Sequence, residues 1–506
     1  MIALYIALGA LVVIVLYFKW LCSYWRRIGN IDGPAPLPIF GNGYEQITGA
    51  KHFGEIFGDI YRSYQTASWV GIHGLFNKPS IVVRDLELVK EILVGSFQHF
   101  NKNSFEVNES IDPLFSVNPF TQSGDLWKER RSQVVPVLSQ TKIRSCFPII
   151  KNVAENFVNY VTETRESSPD FEAKDICARF TIDSVASCVF GIDAESFTNP
   201  GSEFRRVGFE LFNPNSALTA VRTLLTLFAP KLSLLLRLPF VPRHVDRWFR
   251  QLVNEVVRQR KEGKVKRQDL FQALYDSLTQ NGVMDAKSDE IVGHSVTFLT
   301  EGFETSSTLM CYLLYELASN PHIQDRVLDE IDSVLKEYGG QLSDEAVNKL
   351  VYMERAMYET LRLHSPVFTL TKVCTKDFEL PPQYSDGRGK QVTLKVGMPA
   401  VIPVHAIHLD PEIFPEPYQF DPDRFLDENR KARHRYSFLA FGEGPRICLG
   451  MKFGLAQSKV GIATLLSKYR VIQSSKQKLP LEMARQTFLL APKDGVWVNF
   501  VERNSS

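Results

Sequence analysis

A cysteine-containing loop carries the strongest chemical signal in the sequence. Residues 441–450 read F-G-E-G-P-R-I-C-L-G, and the residues that follow have a helical pattern. The glycines permit tight turns and a close approach to a flat ligand. Cys448 would lie near the N-terminus of that helix, where the dipole and free N–H groups favour a thiolate. Such a thiolate can bind iron axially, whereas a free cysteine in an ordinary setting is buried and inert.

A second set of reactive side chains lies in the sequence E-G-F-E-T-S at residues 301–306. The Thr305 hydroxyl and the adjacent Glu304 carboxylate could pass protons to a reacting group, and Gly302 would let the helix lie close over a ligand. The alternative is a threonine that bonds back to the carbonyl four residues earlier. Glu301 would be costly near an apolar pocket unless it were paired or solvated. It could form a local ion pair, bind a polar or cationic group of a substrate, or turn away.

Two further pairs have the spacing of neighbours on a helix. Glu359 and Arg362 are three residues apart, and Trp127 and Arg131 are four residues apart. Either pair alone is a weak signal, because ion pairs on helix surfaces are common and add little stability.

In combination, these motifs resemble those of the cytochrome P450 family. The loop at residues 441–450 matches the family's F-x-x-G-x-R-x-C-x-G. A chance match of its five fixed residues in ~500 positions has odds of roughly one in several thousand. Residues 301–306 match A/G-G-x-D/E-T-T/S, residues 359–362 match E-x-x-R, residues 127–131 match W-x-x-x-R, and residues 420–425 resemble F-x-P-E-R-F. The motifs occur in family order along the chain, which is similar to the membrane-bound microsomal type of animals.

The resemblance implies a role for each of these residues. Cys448 would be the metal ligand, bound axially to the iron of haem b (iron protoporphyrin IX). Thr305 and Glu304 would form the catalytic pair that activates oxygen. The side chains expected to bind the cofactor are Trp127, Arg131, Lys372, Phe441, Arg446 and Cys448. The structural triad would consist of Glu359, Arg362 and Arg424.

The chain departs from the family pattern at three positions. Glu301 stands where Ala or Gly is usual, Lys372 where Arg is common, and Asp423 where Glu is usual. A lysine can pair with a haem propionate as a point charge but cannot form the guanidinium fork. The expected substrate pocket comprises residues 101–120, 294–305, 367–370 and 487–490.

The resemblance further implies a haem-thiolate monooxygenase that inserts one atom of O2 into an apolar small molecule. Electrons would come from NADPH through the NADPH–cytochrome P450 reductase, with cytochrome b5 as a second partner, because the chain has no flavin or nicotinamide fingerprint. Basic residues such as Lys128, Arg130 and Lys452 could form the docking patch. Two alternatives are a reductase-independent enzyme that isomerises or dehydrates peroxides and a haem-binding sensor or carrier. The substrate itself is not indicated.

Helical patterns dominate the elements that must position these residues. One helix is predicted from the N-cap Ser288 to Asn320, a second over residues 321–338 and a third over residues 343–364. Strand-like runs occur at residues 80–83, 392–394, 400–404 and 495–501. The predicted fold is mainly α with a small β portion, the cytochrome P450 fold, in a single large catalytic domain.

The N-terminus has the composition of a membrane anchor. Residues 1–18 carry no charge, aromatic residues follow, and Lys19 and Arg26 come after the apolar run. This pattern predicts an uncleaved transmembrane signal anchor at residues 1–25, a basic and proline-rich linker at 26–40 and the catalytic domain at 41–506. The positive-inside rule places that domain on the cytosolic face, here of the endoplasmic reticulum membrane, in contact with membrane lipid.

The overall composition excludes several other classes of protein. With 506 residues, 44% of them hydrophobic, the chain is too apolar to be disordered. Its net charge of +1 argues against a nucleic-acid partner. Seven cysteines without a C-x-x-C spacing fit neither a disulfide framework nor a zinc ribbon.

Overall fold

The computed structural model describes residues 1–212, 225–226, 230–264, 267, 269–279, 289–388, 390–485 and 487–503. Within these ranges helices predominate, and the strands are few and short. The predicted fold class, mainly α with a small β portion, is confirmed. All seven cysteines are free.

The first helix, Ile2–Cys22, is apolar up to the single charged residue Lys19 in its last turn. Its segment Leu4–Cys22 is long and apolar enough to cross a bilayer, and none of it is buried in the protein. A short helix, Tyr24–Gly29, follows. Its Trp25 is buried, and the indole N–H donates to the Ile72 carbonyl oxygen at 2.8 Å. The protein interior therefore begins immediately after the apolar helix.

The predicted linker, residues 26–40, packs on the first sheet. The Asp32 carbonyl accepts a hydrogen bond from the Gly71 N–H at 3.2 Å, and Ile31 is buried. A Cβ on Gly33 would lie 1.9 Å from the Gly71 carbonyl oxygen, so only glycine fits there. The domain boundary at residue 41 stays a prediction.

The long helix, Asp289–Ser319, runs through the centre of the protein and is buried on nearly all sides. Apolar residues around most of its circumference favour such a core position. It packs against the helices Ala173–Val185 and Met451–Lys468. The predicted end is confirmed, since Asn320 is non-helical and Pro321 opens the next helix. The proposed cap, Ser288, lies outside the described residues.

The prediction of one helix over residues 343–364 is wrong, because two helices occupy this stretch. They are Asp344–Asn348 and Val351–Leu363, with Leu350 non-helical and buried between them. The second helix starts afresh because the Glu330 carboxylate accepts hydrogen bonds from the N–H groups of Tyr352 and Met353, at 2.7 and 2.9 Å. This capping partner lies on the preceding helix, Pro321–Glu337.

The remaining helices pack around this centre. In chain order they are Tyr44–Ile47, Phe53–Ser63, Leu86–Lys90, Pro113–Ser116, Gly124–Val134, Gln140–Ser145, Phe147–Thr164, Glu203–Phe212, Pro230–Leu235, Arg243–Lys261, Leu270–Thr279, Val404–His408 and Asp427–Ala432. Short 3-10 or π turns occur at Leu75–Asn77, Glu91–Gly95, Phe97–His99, Ala186–Phe190, Pro422–Phe425, Arg435–Ser437 and Gly444–Arg446.

The strands form one five-stranded sheet and two smaller ones. In chain order they are β1 Trp69–His73, β2 Pro79–Val83, β3 Lys102–Asn103, β4 Phe171–Glu172, β5 Leu370–Val373, β6 Phe378–Glu379, β7 Thr393–Leu394, β8 Pro399–Ile402, β9 Tyr469–Gln473 and β10 Trp497–Glu502. The large sheet has the order β1-β2-β8-β5-β3, in which β2 and β8 are parallel and the other pairs antiparallel. The smaller sheets have the orders β4-β10-β9 and β6-β7. All four predicted strand regions contain a strand.

Candidate active site

The cysteine loop leads directly into the helix Met451–Lys468. Gly444 has a φ of +76°, which side chains rarely adopt, and a Cβ there would lie 2.3 Å from the Leu93 carbonyl oxygen. The Cys448 N–H donates to the Phe441 carbonyl oxygen at 2.9 Å and closes the loop on itself. The loop therefore holds Cys448 just before the first turn of the helix, as the sequence predicts.

The Cys448 thiol opens into an internal cavity. The side chain is accessible, yet protein surrounds it, and this burial raises the pKa of the thiol to about 11. The Glu301 carboxylate raises that pKa as well, whereas the N–H groups of Gly450 and Met451 and the Arg131 guanidinium lower it. These donors stabilise a thiolate, and a metal ion that binds the sulfur displaces the proton outright.

Three cations converge near this thiol. The Lys372 ammonium donates to the Asn103 side-chain oxygen at 2.7 Å, and the Arg131 guanidinium donates to the Ile447 carbonyl at 3.0 Å. Arg446 donates to backbone carbonyls only. Within the described ranges none of the three contacts a carboxylate, so their charges are not compensated by the protein.

Burial and mutual repulsion make this cation cluster costly. Burial lowers the pKa of Lys372 to about 7, with further contributions from Arg446 and Arg131, and burial lowers the pKa of Arg446 to about 10. Trp127 lies against both guanidinium groups, 4.7 Å from Arg446 and 5.9 Å from Arg131. A ligand with an acidic edge would relieve the repulsion.

These residues fit the haem that the resemblance implies. The uncompensated cations suit its two carboxylates, and Cys448 supplies one sulfur ligand. In the part of the chain that the structure describes, there is no group of three or more His, Cys, Asp or Glu that could hold a bare metal ion. An iron atom at Cys448 would therefore need a cofactor to supply its other ligands.

Thr305 and Glu301 lie one turn apart on the face of the long helix that borders the cavity. The Thr305 hydroxyl is accessible and donates to the carbonyl oxygen of Glu301, four residues earlier, at 2.9 Å. The predicted alternative, a threonine bonded back to its own helix, is therefore present. Its lone pairs stay free to accept a proton or a hydrogen bond from the cavity. The back-bond thus coexists with access to the cavity.

Glu304 does not face the cavity side by side with Thr305. Its carboxylate is buried and forms an ion pair with Lys174 at 3.1 Å. The Lys174 ammonium also donates to the hydroxyls of Ser307 and Thr308, each at 2.7 Å. The second oxygen of Glu304, Oε2, is buried without a hydrogen-bond partner in the described structure. Glu304 therefore does not stand beside Thr305 at the cavity, as the sequence suggested, but lies on the packed side of the helix.

The interpretation of Gly302 is also corrected. A Cβ at this residue would lie 3.1 Å from a Val185 methyl group, in the neighbouring helix Ala173–Val185. The missing side chain lets the long helix approach the helix Ala173–Val185, and the space it leaves faces Val185 and not a ligand. The Gly302 carbonyl accepts a hydrogen bond from the Gln457 side chain at 2.8 Å, which ties the long helix to Met451–Lys468.

Glu359, Arg362 and Arg424 meet in a buried cluster. The Arg362 guanidinium binds the Glu359 carboxylate in a fork, at 2.7 and 2.8 Å, and both side chains are fully buried. Arg424 lies 3.3 Å from the same carboxylate. Burial raises the pKa of Glu359, and both arginines counteract that effect. The unusual Asp423 pairs instead with Arg326, at 2.8 Å.

Sequence reasoning missed Lys174, and it included Asn118 in the expected pocket range 101–120 without predicting its contact with Glu301. Asn118 is buried and its amide donates to the Glu301 carboxylate at 2.5 Å. Both residues are distant in sequence from the helix that they contact. A single lysine or asparagine without a motif gives no signal, so only the tertiary structure reveals these contacts.

Comparisons with known proteins cover nearly the whole chain. A family model described as "Cytochrome P450" matches residues 31–498. "Probable cytochrome P450 308a1" of Drosophila melanogaster is 36% identical over 497 residues, covering 97% of this chain and 96% of that protein. "Cytochrome P450 6a2" of the same organism is 33% identical, covering 95% of each. "Cytochrome P450 6k1" of Blattella germanica is 30% identical, covering 99% and 97%. The similarity thus extends far beyond the cysteine loop.

Proposed function

The chain belongs to the cytochrome P450 family and is a haem-thiolate monooxygenase, and from this premise we propose how its residues serve that activity. When bound, haem supplies the activation of dioxygen, of which one atom enters the substrate and the other leaves as water. Cys448 would hold the haem iron through its thiolate. The observation that carries this assignment is the accessible Cys448 thiol at a helix start, beside three cations that contact no carboxylate of the described residues.

The cation cluster is the proposed binding site for the acidic edge of haem b. Arg131 and Arg446 would each present a guanidinium fork to a propionate, and Lys372 would act as a point charge. Trp127 holds the two guanidinium groups in place. Phe441 closes the cysteine loop through its carbonyl, and its side chain packs against the hydrophobic core.

Thr305 and Glu304 are the proposed proton-handling residues. The Thr305 hydroxyl borders the cavity, where it can accept or donate a proton. Lys174 stabilises Glu304 as an anion, while the unpartnered Oε2 offers a site for an incoming proton. Glu304 would therefore supply protons from behind the helix and not by direct contact with the substrate.

The buried triad of Glu359, Arg362 and Arg424 is proposed to be structural. Arg362 donates to the carbonyl oxygens of His408 and Pro417 at 2.8 and 2.7 Å. The triad thereby fixes the chain that leads toward the cysteine loop.

We place the protein in the endoplasmic reticulum membrane, with residues 1–25 as anchor and the catalytic domain, residues 41–506, on the cytosolic face. The apolar helix Ile2–Cys22 supports this placement. Electrons would come from NADPH through the reductase, and cytochrome b5 is the second proposed partner. Lys128 and Lys452 are exposed and suit a docking patch, but Arg130 is nearly buried in an ion pair with Glu290 and does not.

Spectroscopy of the purified full-length protein tests the ligand assignment. The reduced protein with carbon monoxide should show the Soret band of a haem thiolate. Replacement of Cys448 by Ala should abolish both that band and turnover, since it removes the thiolate that would bind the iron. A haem–imidazole band in the wild type, or full activity in Cys448→Ala, would refute the assignment.

The source of electrons requires a separate test. With an apolar substrate, NADPH consumption should depend on added reductase and should be matched by product formation. Isomerisation of a peroxide without reductase would support the alternative enzyme class. Haem binding without any turnover would support the sensor or carrier.

A further inference from the structure

Glu301 is an accessible carboxylate in the cavity that Cys448 faces. Its side chain can be reached by solvent, yet protein surrounds it, and burial raises the pKa of its carboxyl. The carboxylate lies within electrostatic reach of the Cys448 thiol, whose pKa it raises, and both side chains are accessible although protein surrounds them. Thr305 lies one turn further along the same helix face. Glu301 therefore borders the cavity in which the haem and a substrate would meet.

Asn118 holds this carboxylate in place. The asparagine is only 1% exposed, and its amide nitrogen donates to Glu301 Oε1 at 2.5 Å. The orientation of the amide is fixed, because its oxygen accepts the Phe120 N–H at 2.8 Å. A buried, oriented donor supports the carboxylate from one side and leaves Oε2 to other partners. The position of Glu301 is thus built into the pocket wall.

No cation of the described chain neutralises Glu301. Burial raises the pKa of its carboxyl and the hydrogen bond from Asn118 lowers it, and among the described residues no Lys, Arg or His nitrogen lies within 4.0 Å of it. Glu304, three residues further along the helix, is by contrast paired with Lys174. A carboxylate away from bulk water is costly unless it is paired, so a cationic ligand would be its natural complement.

Aromatic side chains lie close in sequence to Asn118, the residue that holds this carboxylate. Asn118 stands between two phenylalanines that belong to one ring cluster with neighbouring centroids 4.8–6.4 Å apart. Aromatic faces bind apolar groups and attract ammonium cations. The rings of the cluster are Phe105, Phe115, Phe120, Phe240 and Phe488.

We propose that Glu301 is the counter-ion for an organic cation, so that the substrates of this enzyme include apolar molecules that carry an ammonium group. The apolar body would contact the phenylalanine cluster, and the ammonium group would contact the carboxylate held by Asn118. The proposal rests on the proposed function, because it takes the cavity beside Cys448 as the substrate pocket. It deepens that function by naming a substrate class.

A pair of ligands that differ only in charge separates the effect of the ligand's positive charge from that of its apolar surface. The cation is (4-phenylbutyl)trimethylammonium, and the neutral ligand is the same molecule with carbon in place of nitrogen. A quaternary nitrogen has no lone pair, so it cannot bond to iron. Equilibrium dialysis against the haem-loaded full-length protein gives both dissociation constants, and the readout is their ratio, Kd(neutral) divided by Kd(cation).

Glu301→Gln should lower this ratio at least about tenfold, equivalent to ~1.4 kcal/mol. The substitution removes the charge but keeps an oxygen that can accept from Asn118. Glu301→Asp keeps the charge and should retain more of the preference than Glu301→Gln. Glu337→Gln, which removes an exposed carboxylate at the end of a distant helix, should leave the ratio unchanged. The carbon monoxide spectrum of each variant checks that it is folded.

An unchanged ratio in Glu301→Gln would overturn the proposal, as would an equal loss in Glu337→Gln. These failures are distinct from failure of the proposed function. If the wild type shows the thiolate spectrum while the ratio does not respond to Glu301, only the counter-ion proposal is refuted. If the thiolate spectrum is missing, the function fails, and dialysis still reports whether Glu301 selects cations.

Discussion

Replacing Glu359 by Gln should strongly destabilise the protein without touching the haem cavity. The Glu359 carboxylate accepts the forked hydrogen bonds of Arg362 and one from the Asp421 N–H at 3.0 Å, and it also lies close to Arg424. Glutamine keeps the shape but removes the charge. Two guanidinium groups would then share a buried site without an anion.

The magnitude follows from this burial. Removing one partner of a buried ion pair costs about 3–5 kcal/mol, because the other charge is left uncompensated. This loss corresponds to a decrease of the folding equilibrium constant by about 150-fold to about 5,000-fold. For a chain of this size, with an m value of at least about 3 kcal/mol/M in urea, the unfolding midpoint should fall by about 1 M.

Urea titration of the haem-loaded protein, followed by the Soret band and by circular dichroism, measures the effect. The matched control is Glu255→Gln, which removes one partner of an ion pair with Arg258 on an exposed helix surface and should change the midpoint far less. Equal midpoints for the two variants would refute the claim that the triad stabilises the fold. A lower midpoint together with an unchanged carbon monoxide spectrum before unfolding would assign Glu359 to structure and not to catalysis.

Four further predictions address the cofactor site, proton handling and the anchor. Arg446→Ala should weaken haem retention by roughly tenfold or more, measured by transfer to apomyoglobin, because one of the three cations is lost; unchanged retention would contradict this role. Thr305→Ala should uncouple NADPH consumption from product formation, and unchanged coupling would remove the hydroxyl from oxygen activation. Because the pKa of Lys372 is about 7 and a propionate binds its protonated form, haem retention should decrease as pH rises above 7; Lys372→Met should lack this component. Deletion of residues 2–22 should release the protein from microsomes into the soluble fraction, and continued membrane retention would indicate a second binding surface.

The sequence was most informative where chemistry depends on local spacing. The cysteine loop could be interpreted from its own residues, since Gly444 needs a positive φ and Cys448 directly precedes a helix. The long helix was predictable because its apolar pattern is bounded by Pro321. The break at Leu350 was not, because the cap that starts the next helix is supplied by Glu330 on another helix.

The sequence did not predict which way a side chain points, because that direction depends on its partners in the folded protein. Gly302 looked like a site of close approach to a ligand, but Val185 occupies that side of the helix. The cluster of Arg131, Lys372 and Arg446 comes from three separate regions of the chain. A sequence motif identifies each of these residues separately. Their mutual repulsion, and the lack of a carboxylate contact among the described residues, become visible only in the folded chain.

The two carboxylates of the central helix show why this distinction matters for function. Glu301 and Glu304 are three residues apart, which places them within about 60° of each other around a helix axis. Lys174 binds Glu304 on the packed side, and Asn118 binds Glu301 on the cavity side. Lys174 compensates the charge of Glu304, whereas a neutral amide supports Glu301, which has no cationic partner among the described residues. The partners, and not the motif, therefore decide which carboxylate is available to a ligand.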